Sequence, residues 1–212
     1  MSNLILYLDL LKKGPPAKHP HYTAVLNQQT ERLKELVESI LRLSNLDLDQ
    51  DSLIWSQINL NDVVAYVMDK YQNQVGRQGL RLTFTPETNP ILIYGNFKQL
   101  VEMTITLLEN ALKYTANGEI RLHTWINSPD QQLVGLQIED TGMGIAPEDI
   151  PHVFERFYRG KGASQSNVPG IGLGLTIAKS IAGLHNGHIE VDSEPGSGTR
   201  VRVNLPLGKN NV

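Results

Sequence analysis

The apolar residues of this chain change their period once, near residue 50, and that change divides it into two parts. Before it there is almost no strand signal. Leu4, Leu8 and Leu11 recur at helical spacing until Gly14-Pro15-Pro16, a run that cannot continue a helix. A second helical pattern extends from about His21 to about Asp47, with Leu33, Leu36, Ile40, Leu43 and Leu46 spaced three or four apart. This is a coiled-coil seam with charged flanks, and Val37 and Leu41 widen it beyond what one partner helix covers. A hairpin of two helices is too thin to bury such a stripe. Two hairpins paired as a four-helix bundle in a homodimer would bury it; packing of the hairpin on the rest of its own chain is the alternative.

After the change, strands and helices mix. Strands are expected over 52–59, 80–85, 91–93, 119–126, 133–140, 188–192 and 199–205. Helices are expected around Val63, Val64, Val67, Met68 and Tyr71, over 97–115 with Leu100, Val101, Leu108, Ala111 and Leu112 on one side, and over about 173–184. Strand pairs that look antiparallel, with helices between them, make an α+β chain whose larger part is a two-layer α/β sandwich. The boundaries that follow are a helical hairpin over 1–50, the sandwich over 51–208 and a tail over 209–212.

Composition narrows the function classes. With 212 residues and 40% hydrophobic content the chain can bury a real core, which excludes disorder as a whole. Lys and Arg number 19 against 22 Asp and Glu, net −3, so no basic excess is available to track nucleic acid. The absence of cysteine excludes disulfides, thiolate zinc sites and a cysteine nucleophile. The longest apolar stretch, 4–11, is interrupted by Tyr7 and Asp9 and is too short to span a bilayer. No signal-peptide pattern opens the sequence. The expectation is a soluble cytoplasmic chain without membrane contact of its own, whose parent could be membrane-associated.

Four short motifs in the second part carry chemistry. The first is Leu107–Thr115, LLENALKYT. On a helical wheel Asn110, Lys113 and Tyr114 fall opposite the Leu100, Leu108 and Ala111 stripe, placing a neutral oxygen ligand, a cation and an aromatic ring together. A solvated helix face would look the same. The second is Ile138–Ile145, IEDTGMGI. Val134, Leu136 and Ile138 alternate inward along a strand, and period two carries Asp140 inward with them. An inward carboxylate needs donors, either backbone amides or a ligand's amino group. Gly142 and Gly144 let the backbone turn sharply and come close to a ligand.

The third motif joins Val153–Gly160, VFERFYRG, through a polar stretch to Gly170–Ser180, GIGLGLTIAKS. Glycines that open a helix offer free amides and a positive helix end to an anion, and the small polar residues before them describe a mobile lid. No strand precedes this run, so it is not a dinucleotide fingerprint. The P-loop Gly-Lys-Ser/Thr is missing as well. The fourth motif, Ser193–Thr199, reads alone as a hairpin turn.

The order and spacing of these motifs resemble the ATP-binding catalytic domain of sensor histidine kinases, relatives of the gyrase, mismatch-repair and chaperone ATPases with the Bergerat fold. The resemblance covers about 58–205, and the hairpin before it resembles the dimerisation and phosphotransfer hairpin of the same kinases. It implies ATP and Mg²⁺ as cofactors. Asn110 would ligate the metal, Lys113 would contact phosphate and Tyr114 would lie near the nucleotide. Asp140 would accept the adenine amino hydrogen with support from Thr199, beside Gly142, Gly144 and Ile145. Gly170, Gly172, Leu173, Gly174 and Leu175 would hold phosphates at the base of the lid. Phe154 and Phe157 would anchor the lid or face the hairpin. The implied partners are a second copy of the chain and the receiver domain of a response regulator.

One departure matters. The family opens its first hairpin helix with His-Glu-x-Arg-x-Pro-Leu, and this chain starts at Met1-Ser2-Asn3-Leu4, which looks like the stretch after that pattern. No catalytic acceptor is therefore assigned. His19 and His21 fall in the expected turn without an acidic neighbour. The resemblance implies phosphoryl transfer to a histidine supplied in trans and no stable self-phosphorylation. Two rival readings fit the same motifs. A gyrase-type ATPase would need a catalytic carboxylate, and Glu109 points about 100° away from Asn110 on a helix. A non-catalytic dimerisation and docking module, regulated by nucleotide, would also keep the pocket.

Overall fold

In the computed structural model, residues 2–48, 54–126, 133–165 and 168–208 are described. Helix α1 (Ser2–Lys13) ends where the Gly14 amide closes on Leu10 O at 2.8 Å, and a single 3₁₀ turn, Pro16–Lys18, leads into α2 (His19–Leu48). Pro20 falls in the first turn of α2, where its missing N–H costs nothing. His19 and His21 therefore belong to the start of a helix and not to a turn. The hairpin is pinned at this end by Tyr22, buried against Tyr7 at 6.0 Å between ring centroids. Further along, Ile5, Leu8, Leu33, Val37, Ile40 and Leu41 stay exposed. The wide stripe is thus uncovered over much of its length within one chain. The Leu43 and Leu46 side chains, the start of the first expected strand and the 209–212 tail lie outside the described residues.

Beyond the hairpin the elements are β1 (Ser56–Asn59), α3 (Leu60–Arg77), β2 (Arg81–Thr85), β3 (Leu92–Gly95), α4 (Phe97–Tyr114), β4 (Glu119–Ile126) and β5 (Leu133–Asp140). They are followed by α5 (Lys161–Gln165), α6 (Gly174–Leu184), β6 (His188–Glu194) and β7 (Gly198–Pro206). Caps account for several boundaries. Asn59 accepts the Asn61 amide at the start of α3, and Asn96 accepts the Gln99 amide at the start of α4. The short helix α5 lies in the polar stretch that the sequence pattern leaves irregular.

The sheet order is β2-β4-β5-β7-β6, with β1 and β3 forming a separate antiparallel pair. Three ladders of the large sheet are antiparallel, but β2 and β4 run parallel, Arg81 facing Glu119 and Thr85 facing His123. The antiparallel look of the strand pairs therefore does not extend to β2 and β4. Between these strands the chain passes through β3 and α4, the length of connection a parallel neighbour requires. Helix α4 packs on both α3 and α6, and all three pack against the sheet. The core between the layers gathers Leu100, Met103 and Leu108 from α4 with Ile120, Leu122, Leu136, Val203 and Leu205 from the sheet. The α+β two-layer expectation holds. No helix among the described residues is long and apolar enough to cross a membrane.

Candidate nucleotide site

A cavity of about 480 Å³ opens between α4, the end of β5, the glycine-rich run before α6 and the β6–β7 turn, a size suited to a small-molecule ligand. Its walls bring together Asn110, Lys113, Tyr114, Asp140, Gly144, Ile145, Gly170, Gly172, Leu173, Gly174, Leu175 and Thr199. Residues far apart in sequence thus converge on one space.

At one end, β5 places Asp140 inward, as its alternation requires, and leaves it only 8% exposed. The Gly142 amide donates to its Oδ1 at 2.8 Å. Burial pushes the carboxyl above its ordinary range, opposed by donors from the Gly142 and Thr199 amides and from Thr115. Thr115 Oγ1 is itself buried beside the carboxylate without a well-formed hydrogen bond. Asp140 pairs with Thr199 across the β5–β7 ladder, and Thr199 Oγ1 lies 2.9 Å from Ser193 Oγ. Ser193 Oγ also accepts the Ile145 amide at 2.9 Å, while the Gly196 amide donates to Met143 O at 2.8 Å. The fourth motif is therefore more than a hairpin turn, because it clamps the loop after Asp140. Gly144 sits at φ +69°, where a Cβ would collide with Glu194 O, so this clamp needs glycine there.

At the other end, Lys113 Nζ lies against Gly170 and the Asn110 amide lies against Gly174, each so close that a Cβ on the glycine would crowd it. Burial lowers the Lys113 pKa, Glu35 raises it and Arg159 lowers it again. Tyr114 contributes its ring to the cavity wall, and its carbonyl accepts the Met143 amide at 3.1 Å. Helix α4 is buried over most of its circumference, and Leu107 and Ala111 line the cavity beside Asn110 and Tyr114. The wheel reading of a polar face opposite an apolar stripe is corrected accordingly: α4 lies between the sheet, α3 and α6, and its polar residues share the cavity wall with apolar ones.

The segment between these ends is held by residues that the sequence reading did not single out. Asp149, 3% exposed, accepts the Tyr158 hydroxyl at 2.7 Å and the Lys161 amide at 3.0 Å. Arg159 donates to Ala163 O, to Val168 O at 2.8 Å and to Gly170 O at 3.2 Å, tying both flanks of the polar stretch together. A carboxylate ahead of the Phe-rich motif and an arginine near its end carry no periodicity, so only a three-dimensional view reveals them. Phe154 and Phe157 do not line the cavity. Phe154 packs on the core with Lys179 Nζ 5.1 Å from its ring centre, and Phe157 is exposed at φ 66°. Gly142 also stays behind the wall, against Tyr114 O, and serves the site through its amide.

The residues fit a nucleotide with a metal. The glycines beside Lys113 and Asn110 form a cradle that side chains would fill, and the Thr115 hydroxyl lies buried next to the Asp140 carboxylate. Among the described residues, no group of three or more His, Asp or Glu side chains could hold a metal by itself. A cation at Asn110 would thus draw its other ligands from phosphate and water, the usual situation for Mg²⁺.

The fold and this cavity define a class, and comparison with known proteins agrees with it. Residues 95–209 match the family described as histidine kinase-, DNA gyrase B- and HSP90-like ATPases, and the chain belongs to that family. It is 32% identical to the sensor protein RprX of Bacteroides fragilis, over 99% of this chain and 41% of RprX. It is 29% identical to the sensor histidine kinase RppB of Synechocystis, over 98% of this chain and 46% of RppB. The chain spans less than half the length of these relatives. In fold it resembles the histidine kinase AdeS of Acinetobacter baumannii, with TM-score 0.72 and 23% identity, over 98% of this chain and 95% of that one. It also resembles the mycobacterial sensor histidine kinase MprB, with TM-score 0.61 and 26% identity, over 73% of this chain and 99% of that one.

Proposed function

We propose that this chain is the ATP-binding transmitter region of a two-component sensor histidine kinase and transfers the ATP γ-phosphoryl group to a histidine. The observation that carries this reading is the convergence of a buried carboxylate, an amide oxygen, a lysine and a glycine-lined helix start on one cavity. Asp140, fixed by the Gly142 amide, would accept the adenine amino hydrogen. Asn110 would offer an oxygen to Mg²⁺, and Lys113 would neutralise phosphate charge. Leu173 and Gly174 open α6 and would turn its amides toward the phosphates. Bound Mg²⁺ supplies charge neutralisation at the transferring phosphoryl; the protein's part in such chemistry is positioning and exclusion of water.

His19 and His21 do not line the cavity, and His19 Nε2 is engaged with Gly14 O at 3.3 Å. The acceptor in this reading is a histidine ahead of α1 or on another chain. The exposed row Leu33, Val37, Ile40 and Leu41 supports a homodimer through the hairpin, and the relatives' sensor names support a response regulator as partner. A cytoplasmic location follows from the need for ATP. The docking-module reading lacks support from any decay of the cavity.

The test incubates the protein with γ-labelled ATP, Mg²⁺ and a separately produced hairpin in which His-Glu-x-Arg-x-Pro-Leu precedes α1. Acid-labile label on that hairpin, absent with Asn110→Ala, is the expected result. ATP binding with release of free phosphate and no labelled hairpin would contradict the reading.

A further inference from the structure

The hairpin contributes to the cavity. Helix α2 packs on α6, and Glu35, Glu38 and Ser39 stand in the same wall as Asn110, Lys113 and the glycine run. Glu35 raises the pKa of Lys113, which places its charge at the lysine end and away from Asp140. Glu109 adds another carboxylate to this wall, engaged by the Tyr71 hydroxyl at 2.6 Å. The cavity wall therefore has two cations, Lys113 and Arg159, against five carboxylates, Glu35, Glu38, Glu109, Asp140 and Asp149. A triphosphate entering there meets more negative charge than positive.

We propose that Glu35 and Glu38 form an acidic wall at the phosphate end, which penalises nucleotides in proportion to their charge and makes tight binding depend on a divalent cation. The inference rests on the adenine-nucleotide reading of the cavity. Its physical basis is Coulombic. A carboxylate in the cavity wall, partly in solvent, interacts weakly with each charge of a phosphate chain, but the effect grows with the number of charges and is screened by salt. A cation that halves the charge of ATP halves the penalty. Because the wall belongs to α2, nucleotide affinity would also depend on whether the hairpin is docked on α6. If the two carboxylates were only a solvated helix face, their removal would leave every nucleotide unaffected.

The experiment is calorimetric titration of the intact chain and of Glu35→Gln/Glu38→Gln with AMP, ADP and ATP, each with and without Mg²⁺, at about 20 mM and about 500 mM salt. Glu31→Gln, on the same helix but outside the cavity wall, serves as control. In low salt without metal, the double variant is expected to bind ATP about five- to twentyfold more tightly than the wild type, the summed effect of removing two weak repulsions on each charge of the triphosphate. The gain should be smaller for ADP and Mg-ATP, under about twofold for AMP, and absent in high salt. Equal affinities in variant and wild type, or weaker Mg-ATP binding by the variant, would overturn the acidic wall while leaving the nucleotide site standing. A wild type that binds none of the three would overturn the site reading and this inference with it.

Discussion

His185 closes the end of α6 and ties it to two other elements of the fold. It is 3% exposed, and both ring nitrogens are engaged. Nδ1 faces Ile181 O at 2.8 Å, a group that can only accept, and Nε2 faces the Asn96 amide at 3.0 Å, a group that can only donate. The partners therefore fix a neutral ring with its proton on Nδ1. Trp55 lies 4.8 Å away between ring centres, and Asn96 Nδ2 donates to Ile54 O at 3.0 Å. One side chain thus joins the end of α6, the cap of α4 and the segment entering the sandwich. His185→Ala leaves the Asn96 amide buried without an acceptor, a loss of about 1–3 kcal/mol. Adding the lost ring packing gives about 2–4 kcal/mol in all, or about 5–15 °C in Tm. Protonation strikes the same point, because a second N–H would then confront the Asn96 amide. Burial holds the folded pKa of His185 below 6.5, so on acidification the unfolded chain takes up a proton that the folded chain refuses. Stability is therefore full above about pH 6.5 and falls as the pH drops below it, by at most about 1.4 kcal/mol per pH unit from this group. Urea unfolding followed by tryptophan fluorescence at pH 7.5 and 5.5 measures both effects, with the exposed His21→Ala as control. We expect His185→Ala to be less stable than wild type at pH 7.5 and less pH-dependent between the two values. A cost under about 0.5 kcal/mol, or an unchanged acid loss, would refute this reasoning.

Two further outcomes are expected at the cavity. Asp149→Ala releases the Tyr158 hydroxyl and the Lys161 amide, so tryptic cleavage at Lys161 should accelerate several-fold; the Tyr158 phenol, pushed up to about 12 chiefly by its bond to Asp149, should titrate closer to 10 by ultraviolet absorbance. If Asp140 reads the adenine amino group, guanine's carbonyl would set two acceptors face to face, and calorimetry should find ATP bound about five- to a hundredfold more tightly than GTP.

The parts of the fold legible in the sequence are those where local chemistry and tertiary packing agree. Gly14-Pro15-Pro16 breaks the hairpin in any context, and Val134, Leu136, Ile138 and Asp140 alternate because one face of β5 is buried. Convergence of Asn110 with Asp140 was legible through the family order of the motifs, since no period connects a helix with a strand end some thirty residues away. The direction of β2 was not, because its parallel partner lies beyond β3 and α4 and pairing direction leaves no mark on a short apolar run. Asp149, Arg159 and Ser193 escaped for a related reason. Each acts through hydrogen bonds that only the folded loops create, and isolated polar residues in a loop look like solvated ones. Phe154 and Phe157, implied by the resemblance to anchor the lid or face the hairpin, stay off the cavity wall: Phe154 packs on the core, and Phe157 is exposed while its amide donates to Gly172 O at 2.9 Å. The Glu35 and Glu38 wall arises from docking of α2 on the sandwich, a relation between two separately readable parts.

The claim at the centre of this account is that Asp140 and Asn110 belong to one adenine-nucleotide site. Calorimetric titration of ATP into the wild type and Asp140→Asn, each with and without Mg²⁺, tests it most directly. Asparagine keeps the size of the side chain and can still accept the Gly142 amide, but it loses the carboxylate. The expected result is measurable wild-type binding that strengthens with Mg²⁺ and weakens at least tenfold in Asp140→Asn, with thermal unfolding little changed. Equal ATP affinity in the two proteins, or no binding by a folded wild type at millimolar ATP, would contradict it.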